Sequence, residues 1–448
     1  MAADRLQKVC IIGAGSSGIV AAKTLYQAGV PFDCFEKGSG IGGNWRYGND
    51  NGMSSAYRSL HINTNRNAMA YSDYPMPTDY PMFPHHSQII RYFDSYVDHF
   101  GFRDKIQFST SVEDVCHVAD PAGGVGSYQV TTSTGQHRSY KHLIVANGHH
   151  WNPRYPDPAF PGTFTGETIH SHDYKTPEQI QGRKVLIVGI GNSAVDIACE
   201  AARQYGEIVT ISTRSGAYIV PNWLISKPFD SLANSITSQL PLSLQRRLLG
   251  MSLWLARGRQ ENYGVPTPKR PLLSEHPTIS QDLLNLAGRG LVKFKPNITR
   301  FEGREVVFDD GSRDRFDMII YATGYKVTFP FFKAGFFNVE QTNDLQLYHR
   351  VVHPDFTGLY FLGLLQPLGA IMPLAEIQAM WLTSLIAGTC RLPGRDQMLR
   401  SIREEATKNT QRYNASARHT LQVDFHPYKQ CIERELRRMK QRAVMEKR

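Results

Sequence analysis

The sequence predicts an α/β protein with two similar three-layer domains, the second inserted into the first. A buried strand, a glycine-rich turn and a helix follow one another over residues 9–29, and the pattern recurs over residues 185–206. This order is typical of a Rossmann-like (ββα/βαβ) dinucleotide-binding domain. Further buried strands at 317–325 and 359–363 indicate that the chain returns from the second domain to complete the first.

The composition describes an ordinary globular protein. The chain has 448 residues, of which 41% are hydrophobic and 20% charged, so a disordered chain is excluded and two or three domains are expected. The formal net charge is +10. The densest basic run, residues 434–448, mixes Arg and Lys with Glu and contains no aromatic residue. It therefore predicts a solvated terminal helix and no nucleic-acid partner.

The cysteines and the apolar segments indicate a cytoplasmic protein. None of the six cysteines belongs to a C-x-x-C pair or to a metal-ligand spacing, which predicts isolated thiols, a reducing compartment and no metal site. The apolar stretch at 9–12 is too short for a secretory signal. The longer stretch at 359–388 is interrupted by polar residues and prolines, so we predict no membrane span.

The first glycine motif is predicted to bind FAD or NAD. Its turn and helix start comprise Gly13, Gly15, Ser16, Ser17 and Gly18. These residues allow a pyrophosphate to approach the helix N-terminus, although a simple tight turn would use the same glycines. Glu36 ends the next predicted strand, 23 residues after Gly13, where its carboxylate can accept hydrogen bonds from both ribose hydroxyls. Its negative charge would repel a 2′-phosphate, which argues against NADP at this site.

The second glycine motif is predicted to bind NADPH. Its turn and helix start comprise Gly189, Gly191, Asn192, Ser193 and Ala194. Arg214 follows the next strand, 25 residues after Gly189, and a guanidinium at this position favours a 2′-phosphate. An arginine on a solvated strand end is the alternative. The two motifs together predict a flavin and NADPH, and the lack of a C-x-x-C pair leaves oxygen or a quinone as electron acceptor.

The domain boundaries follow from composition. Four of the 25 prolines fall within residues 152–164, and this density predicts an extended linker. We therefore predict an FAD-binding domain at residues 1–160 and 291–448, with helices at its C-terminal end, and an inserted NADPH-binding domain at 161–290. The inserted domain contains a basic helical insert at about 221–271. A helix that covers a cleft and an amphipathic, membrane-contacting helix both fit this insert.

Residues 164–174 fit the pattern FxGxxxHxxx[YF], with Phe164, Gly166, His170 and Tyr174 at the fixed positions. This run resembles the fingerprint of the flavin-containing monooxygenases, whereas the related Baeyer–Villiger fingerprint has Trp at the last position. The resemblance covers most of the chain. It includes GGNW at 42–45, YRSLHIN at 57–63, YSDYP at 71–75, ATGY at 322–325 and QPLGA at 366–370.

The resemblance implies a class B flavoprotein monooxygenase that uses FAD, NADPH and O2. In this family NADPH reduces the flavin, and a C4a-hydroperoxyflavin stabilised by bound NADP+ transfers one oxygen atom to a soft nucleophile. Amines and thioethers are the expected substrates, and the cofactor carries most of the chemistry. Baeyer–Villiger oxygenation of ketones is one alternative. A non-enzymatic flavoprotein or polyanion-binding module is the other.

The resemblance also implies roles for individual residues. Asn63 would face the flavin and the nicotinamide, and Asn192 would lie near the same place, so both are predicted to be catalytic. A turn role for Asn63 and helix capping by Asn192 are the alternatives. Asn63 and Asn192 are also predicted to bind cofactor. The further predicted cofactor-binding residues are Lys37, Gly43, Asn44, Trp45, Thr64, Asp196 and Gln378.

The C-terminus departs from the mammalian members of this family. Those proteins carry a hydrophobic C-terminal membrane anchor, whereas this chain ends in RAVMEKR. We therefore expect a soluble member of bacterial type. Its expected partners are a small nucleophilic substrate and O2, and the sequence leaves a homodimer open.

Overall fold

The computed structural model describes residues 8–120, 126–205, 208–224, 226–232, 237–333, 345–413 and 421–445. Its helices, numbered in chain order, are α1 (Ser16–Gln27), α2 (Arg66–Met69), α3 (His86–Phe100), α4 (Asn192–Tyr205), α5 (Leu242–Arg257), α6 (Leu283–Gly288), α7 (Met372–Ile386), α8 (Arg395–Arg412) and α9 (Phe425–Met445). Its strands are β1 (Val9–Ile12), β2 (Phe32–Phe35), β3 (Ile106–Gln107), β4 (Val112–Val118), β5 (Ser127–Thr132), β6 (His137–Tyr140), β7 (His142–Val145), β8 (Asn152–Pro153), β9 (Gly162–Phe164), β10 (Glu167–His170), β11 (Val185–Val188), β12 (Val209–Ser212), β13 (Ile219–Val220), β14 (Trp223–Leu224), β15 (Lys227–Pro228), β16 (Thr278–Ile279), β17 (Val292–Lys295), β18 (Ile298–Gly303), β19 (Glu305–Phe308), β20 (Arg313–Arg315), β21 (Met318–Tyr321), β22 (Tyr325–Lys326), β23 (Leu359–Phe361), β24 (Gln366–Leu368) and β25 (Gln422–Asp424).

The chain divides into two compact units. Unit 1 comprises Met1–Ser54, Thr64–Asn152 and Lys326–Arg448, and unit 2 comprises Ser55–Asn63 and Pro153–Tyr325. The sequence-based bounds differ from this division, because they ended the inserted domain at residue 290. In the structure, β17 pairs with β12, and β21 lies between β10 and β11, so the chain stays in the sheet of unit 2 as far as β21.

Unit 1 is built on a five-stranded parallel sheet with the order β23-β7-β1-β2-β3. Every residue of the central strand β1 is buried, as expected for a parallel strand that is covered on both faces. Helix α1 follows β1 and contacts α7, where the Thr383 hydroxyl donates to the Thr24 hydroxyl at 2.9 Å. The sheet therefore holds the first glycine turn at the carboxyl end of β1.

Helix α9 is only partly the solvated helix that the sequence predicted. Ile432 and Met439 on one of its faces are buried, and the Trp381 indole of α7 donates to the Met439 sulfur. The buried Glu435 pairs with Arg442 at 3.0 Å. Residues 446–448 of the basic run lie outside the described residues. A buried apolar face thus attaches this basic segment to unit 1.

Unit 2 repeats the architecture of unit 1. Its parallel sheet has the order β10-β21-β11-β12-β17, and a second sheet has the order β20-β19-β18-β9. Helix α4 follows β11 and contacts β12, α6 and the 3₁₀ turn Pro177–Ile180. Seven apolar residues of α4 are buried, which places the second glycine turn at the carboxyl end of β11.

The predicted insert forms α5, which has apolar residues on two opposite faces. Leu253 packs with Val220, Leu224 and Leu272 in a small core of unit 2. The opposite face carries the exposed residues Leu244, Leu248, Met251 and Leu255, whose spacings of four, three and four residues place them on one stripe of a helix. Within the part of the chain that the structure describes, no helix is both long enough and apolar enough to cross a membrane.

Candidate functional site

The first glycine turn joins β1 to α1 in unit 1. Gly13 has a φ of +99°, which L side chains rarely adopt. A Cβ at Gly18 would lie 1.8 Å from the Gly13 carbonyl oxygen, so only glycine lets the helix approach the turn this closely. Among the described residues, no side chain caps α1 at Gly15. The backbone amides at such a helix start are the groups that bind a pyrophosphate.

Glu36 follows β2 directly and is 3% exposed. One carboxylate oxygen accepts from the Ala14 amide at 2.7 Å, which ties Glu36 to the glycine turn. The other accepts from the Gly38 amide at 2.8 Å and from the Asn51 side chain at 3.2 Å. An ionised carboxylate has about four lone-pair sites, so hydroxyl donors can still be accepted beside these bonds. Lys37, the next residue, is exposed.

The segment around residue 43 lies against the first turn. Gly43–Trp45 forms a short 3₁₀ helix, and Gly43 approaches Gly15 closely. The Asn44 carbonyl accepts a hydrogen bond from a serine hydroxyl at 2.8 Å. The Asn49 side chain donates to the Gly43 carbonyl at 3.0 Å. Sequence analysis did not identify Asn49 or its neighbour Asn51, although the run NDNG that contains both is typical of a turn.

Gln378 lies in α7 and is fully buried. Its side-chain oxygen accepts from the Gly363 amide at 2.9 Å, and its side-chain nitrogen donates to the Tyr428 hydroxyl at 2.6 Å. A Cβ at Gly363 would lie 2.1 Å from the Ser17 hydroxyl oxygen, so Gln378 holds this loop next to α1. Ser16 and Ser17, at the start of α1, are both partly buried. Sequence analysis did not identify Tyr428, which is distant in sequence.

Asn63 is the last residue of the short segment that belongs to unit 2, and Thr64 is the first residue back in unit 1. Both are partly buried. The helix-capping role in this NTN run belongs to Asn65, whose side-chain oxygen accepts from the amides of Asn67 and Ala68 at 3.0 Å each. The cap therefore lies two residues beyond Asn63.

The second glycine turn joins β11 to α4 in unit 2 and has the sequence Gly189-Ile190-Gly191. Asn192 is the first residue of α4, and its side-chain oxygen accepts from the Ile279 amide at 2.9 Å. The Thr278 hydroxyl donates to a carbonyl of the turn at 2.7 Å. Strand β16, which follows the insert in the chain, thus fixes the turn. The sequence did not indicate this role for Thr278.

Asp196 lies one turn into α4. Its carboxylate accepts from the Tyr57 hydroxyl at 2.5 Å. Desolvation raises the pKa of Asp196 to about 6, against the opposing effect of this hydrogen bond. Ser193, at the helix start, is partly buried, and Ala194, which replaces the third glycine, is fully buried.

Arg214 lies one residue further past its strand in unit 2 than Glu36 does in unit 1. The Gly189 amide donates to the Ser212 carbonyl at the end of β12, at 2.9 Å, and the exposed Arg214 follows two residues later. In unit 1, the Gly13 amide donates at 2.8 Å to the carbonyl of the residue before Glu36. The backbone bond from the glycine turn to the strand end therefore recurs in both units, and a charged residue follows that strand end in each, acidic in unit 1 and basic in unit 2.

The backbone of a second basic residue lies near Arg214. The Lys269 amide donates to the Ser215 carbonyl at 2.8 Å, which brings the end of the insert to the residue after Arg214. Sequence did not indicate this proximity, because Lys269 lies 55 positions after Arg214.

The fold and these residues define a class of protein, an oxidoreductase with two dinucleotide-binding units. Unit 1 presents a glycine turn with an acidic residue just after the neighbouring strand. Unit 2 presents a glycine turn with a basic residue two positions after the neighbouring strand. This is the arrangement expected for a protein that passes electrons from NADPH to a flavin.

Comparison with known proteins shows the family. A family model described as flavin-binding monooxygenase-like matches residues 6–440. Flavin-containing monooxygenase 5 of Rattus norvegicus is 38% identical over 437 residues, which are 94% of this chain and 80% of that protein. Dimethylaniline monooxygenase (N-oxide-forming) 2 of Pan troglodytes is 33% identical over 441 residues, 94% of this chain and 81% of that protein. The chain therefore belongs to the flavin-binding monooxygenase-like family, as its sequence resemblance predicted.

A solved structure shows the same fold. The S-allyl-L-cysteine S-oxygenase from Allium sativum superposes with a TM-score of 0.70 at 24% identity, covering 96% of this chain and 88% of that one. Family membership makes the protein a flavin-dependent monooxygenase with FAD and NADPH as cofactors and with O2 and a small molecule as substrates. It sets aside the non-enzymatic alternative.

Proposed function

We propose that the protein oxygenates soft nucleophilic nitrogen or sulfur atoms of small molecules, with NADPH as the electron donor. The observation that supports the use of NADPH is the pair of opposite charges, Glu36 and Arg214, which follow the strands that accept a backbone bond from each glycine turn. Tyr at position 174, and not Trp, supports heteroatom oxygenation over Baeyer–Villiger chemistry. The name of the relative that forms N-oxides supports the same choice. A cytoplasmic location and a homodimer remain predictions.

The residues of unit 1 fit FAD. The backbone of the first turn would bind the pyrophosphate, and Glu36 would accept from the ribose hydroxyls. Gln378 would act through Gly363, whose amide it fixes. When bound, the flavin supplies the redox chemistry with oxygen. The proposed FAD-binding residues of this unit are Gly13, Gly15, Ser16, Ser17, Gly18, Glu36, Lys37, Gly43, Asn44, Trp45, Thr64 and Gln378.

The residues of unit 2 fit NADPH. The turn between Gly189 and Ala194 would bind the pyrophosphate at the start of α4, and Ser193 can donate its hydroxyl to a phosphate oxygen. Arg214 would hold the 2′-phosphate, because a guanidinium donates in a geometry that matches phosphate. Sequence analysis ascribed a cofactor role to Asp196 as well.

Asn63 and Asn192 are the proposed catalytic residues, and both belong to unit 2. A side-chain amide can donate to an oxygen atom and accept from the nicotinamide amide at the same time. In Asn192 the oxygen is already bonded to the Ile279 amide, which orients its NH₂ group as the free donor. We therefore propose that Asn192 acts as a hydrogen-bond donor, and that Asn63 acts as a donor or as an acceptor.

A substrate panel tests the proposal. Purified enzyme is supplied with NADPH and, separately, with a tertiary amine, a thioether and a cyclic ketone, and oxygenated products are quantified by mass spectrometry. We expect N-oxide and sulfoxide in proportion to the NADPH consumed, and little lactone. Lactone as the main product would support Baeyer–Villiger oxygenation instead. Hydrogen peroxide without any oxygenated product from the three compounds would contradict the proposal.

A further inference from the structure

The segment Ser55–Asn63 belongs to unit 2 although the chain on both sides of it belongs to unit 1. Tyr57 anchors it in the core of unit 2, where its ring lies 6.1 Å from that of Tyr174. The Tyr57 hydroxyl donates to Asp196, on the helix that follows the second glycine turn. A buried side chain thus joins the segment that ends in Asn63 to the helix that starts with Asn192.

The segment also contacts the residues that follow β10. The Arg58 amide donates to the Lys175 carbonyl at 2.8 Å, and the Arg58 side chain pairs with Glu178 at 2.5 Å. Both side chains of that ion pair are about half exposed, so the pair contributes little to the stability of the segment. These contacts fix the segment to the loop after β10. The bond from Tyr57 to Asp196 fixes it to α4.

We infer that Asp196 is a positioning residue, which holds Asn63 in register with the second glycine turn through its hydrogen bond with Tyr57. This inference rests on the proposed roles of Asn63 and of α4. It differs from a direct cofactor-binding role for Asp196, because the carboxylate faces Tyr57 inside unit 2. We call the hydrogen-bonded pair Tyr57 and Asp196 the clamp. A hydrogen bond from a hydroxyl to a carboxylate is stronger than one between neutral groups, which suits a positioning role.

The surroundings of Asp196 make the clamp dependent on pH. The charged and titratable groups that act on it are Tyr57, Glu200 and Asp282, and Asp282 is itself paired with Arg203. Desolvation first, and then the two carboxylates, raise the pKa of Asp196, whereas the Tyr57 hydroxyl lowers it. Since the pKa is about 6, the carboxylate is ionised at pH 7.5 and becomes protonated as the pH falls through 6. The charge-assisted bond is lost in that range.

Tyr174 provides a matched control for Tyr57. Its hydroxyl donates to Glu200, also a carboxylate of α4, at 2.6 Å, and its ring is fully buried in the same core. Tyr174 lies outside the segment Ser55–Asn63, and the family fingerprint accepts Phe at its position. Tyr174→Phe therefore removes an equivalent bond on the same helix and leaves the bond between Tyr57 and Asp196 in place.

The test compares Tyr57→Phe, Asp196→Asn and Tyr174→Phe in the holoenzyme. Hydrogen exchange of the amides in the segment is measured by mass spectrometry at pH 7.5. The coupling ratio, oxygenated product per NADPH consumed, is measured from pH 5 to 8. We expect Tyr57→Phe to speed exchange about tenfold, the factor for a lost hydrogen bond to a charged group, and to lower coupling. Its coupling should no longer decline as the pH falls through 6, because no bond between residue 57 and Asp196 is left to lose.

Asp196→Asn keeps an acceptor oxygen but cannot titrate. We expect the hydrogen-exchange rate of Asp196→Asn to lie between those of wild type and Tyr57→Phe. Its coupling ratio should no longer decline below pH 6. Tyr174→Phe should match wild type in both measurements. Equal exchange in Tyr57→Phe and Tyr174→Phe, or an unchanged acid decline in Asp196→Asn, would overturn the inference. The exchange measurement needs no turnover, so it still judges the clamp if Asn63→Ala shows that Asn63 has no role in oxygenation.

Discussion

Arg214 is exposed just after β12, beside the glycine turn of unit 2. We expect Arg214→Ala to raise the KM for NADPH about tenfold or more, because one charge-assisted hydrogen bond to the 2′-phosphate is lost. The KM for NADH should change less than about twofold, because NADH has no such phosphate. Steady-state kinetics with both nucleotides measures the difference.

Lys293→Ala is the control for Arg214→Ala. It removes the same charge from an exposed position on β17 of the same sheet, away from the turn. We expect both KM values to stay near those of wild type. A similar rise for NADPH and NADH in Arg214→Ala would show that the arginine does not read the 2′-phosphate.

The part of the candidate site that sequence can place is the part set by local geometry. Each glycine turn lies within about one βαβ unit of its own charged residue, Glu36 or Arg214, so spacing alone predicts that the two lie near each other. Thr278 and Tyr428 could not be found in this way, because they reach the site from distant elements and carry no motif of their own. Asn65 shows the same limit, since sequence alone does not tell which asparagine of the NTN run caps α2.

Helix α5 has one buried and one exposed apolar face. Leu253 is 4% exposed and lies in the core of the insert, whereas Leu248 on the opposite face is 42% exposed. We expect Leu253→Ala to destabilise this region by about 2–5 kcal/mol, because it leaves a cavity. Leu248→Ala, the same change on the same helix, should cost less than about 0.5 kcal/mol.

Hydrogen exchange of the α5 amides at increasing urea concentrations measures both free energies. Hydrogen exchange reports the stability of this region alone. A global unfolding curve of a protein with two units does not isolate one region. Equal destabilisation by the two substitutions would mean that the outer face of α5 is covered in solution. The sequence predicted a helix in this insert, but two apolar faces do not reveal which one is buried.

The whole molecule contains two copies of one architecture, and each copy holds its glycine turn with its own sheet. We therefore expect 2′,5′-ADP, which carries the 2′-phosphate and one 5′-phosphate but no nicotinamide, to bind equally well with and without FAD. Isothermal titration of the holoenzyme and of flavin-depleted protein should give dissociation constants within about twofold, since no contact to the flavin is needed. A large loss of affinity in the depleted protein would show that FAD organises the second site.

The bounds of the units were predictable only in part. The proline-rich run at 152–164 marked the first crossing, because its composition is local. The second crossing lies beyond β21, and the sequence placed it at residue 290 instead. Strand order decides this point, since β21 inserts between β10 and β11, and strand order depends on pairing between distant segments.

The shared hydrogen bond from each glycine turn to the end of the neighbouring strand has a consequence for loading. FAD and NADPH share an adenosine diphosphate portion, and each glycine turn donates the same kind of backbone hydrogen bond to its neighbouring strand. With the proposed roles, the sign of one side chain would distinguish the two nucleotides, since Glu36 would repel the additional phosphate of NADPH and Arg214 would attract it. Electrostatic exclusion would thus keep NADPH out of the first site, whereas the second site would prefer NADPH to FAD only through that attraction.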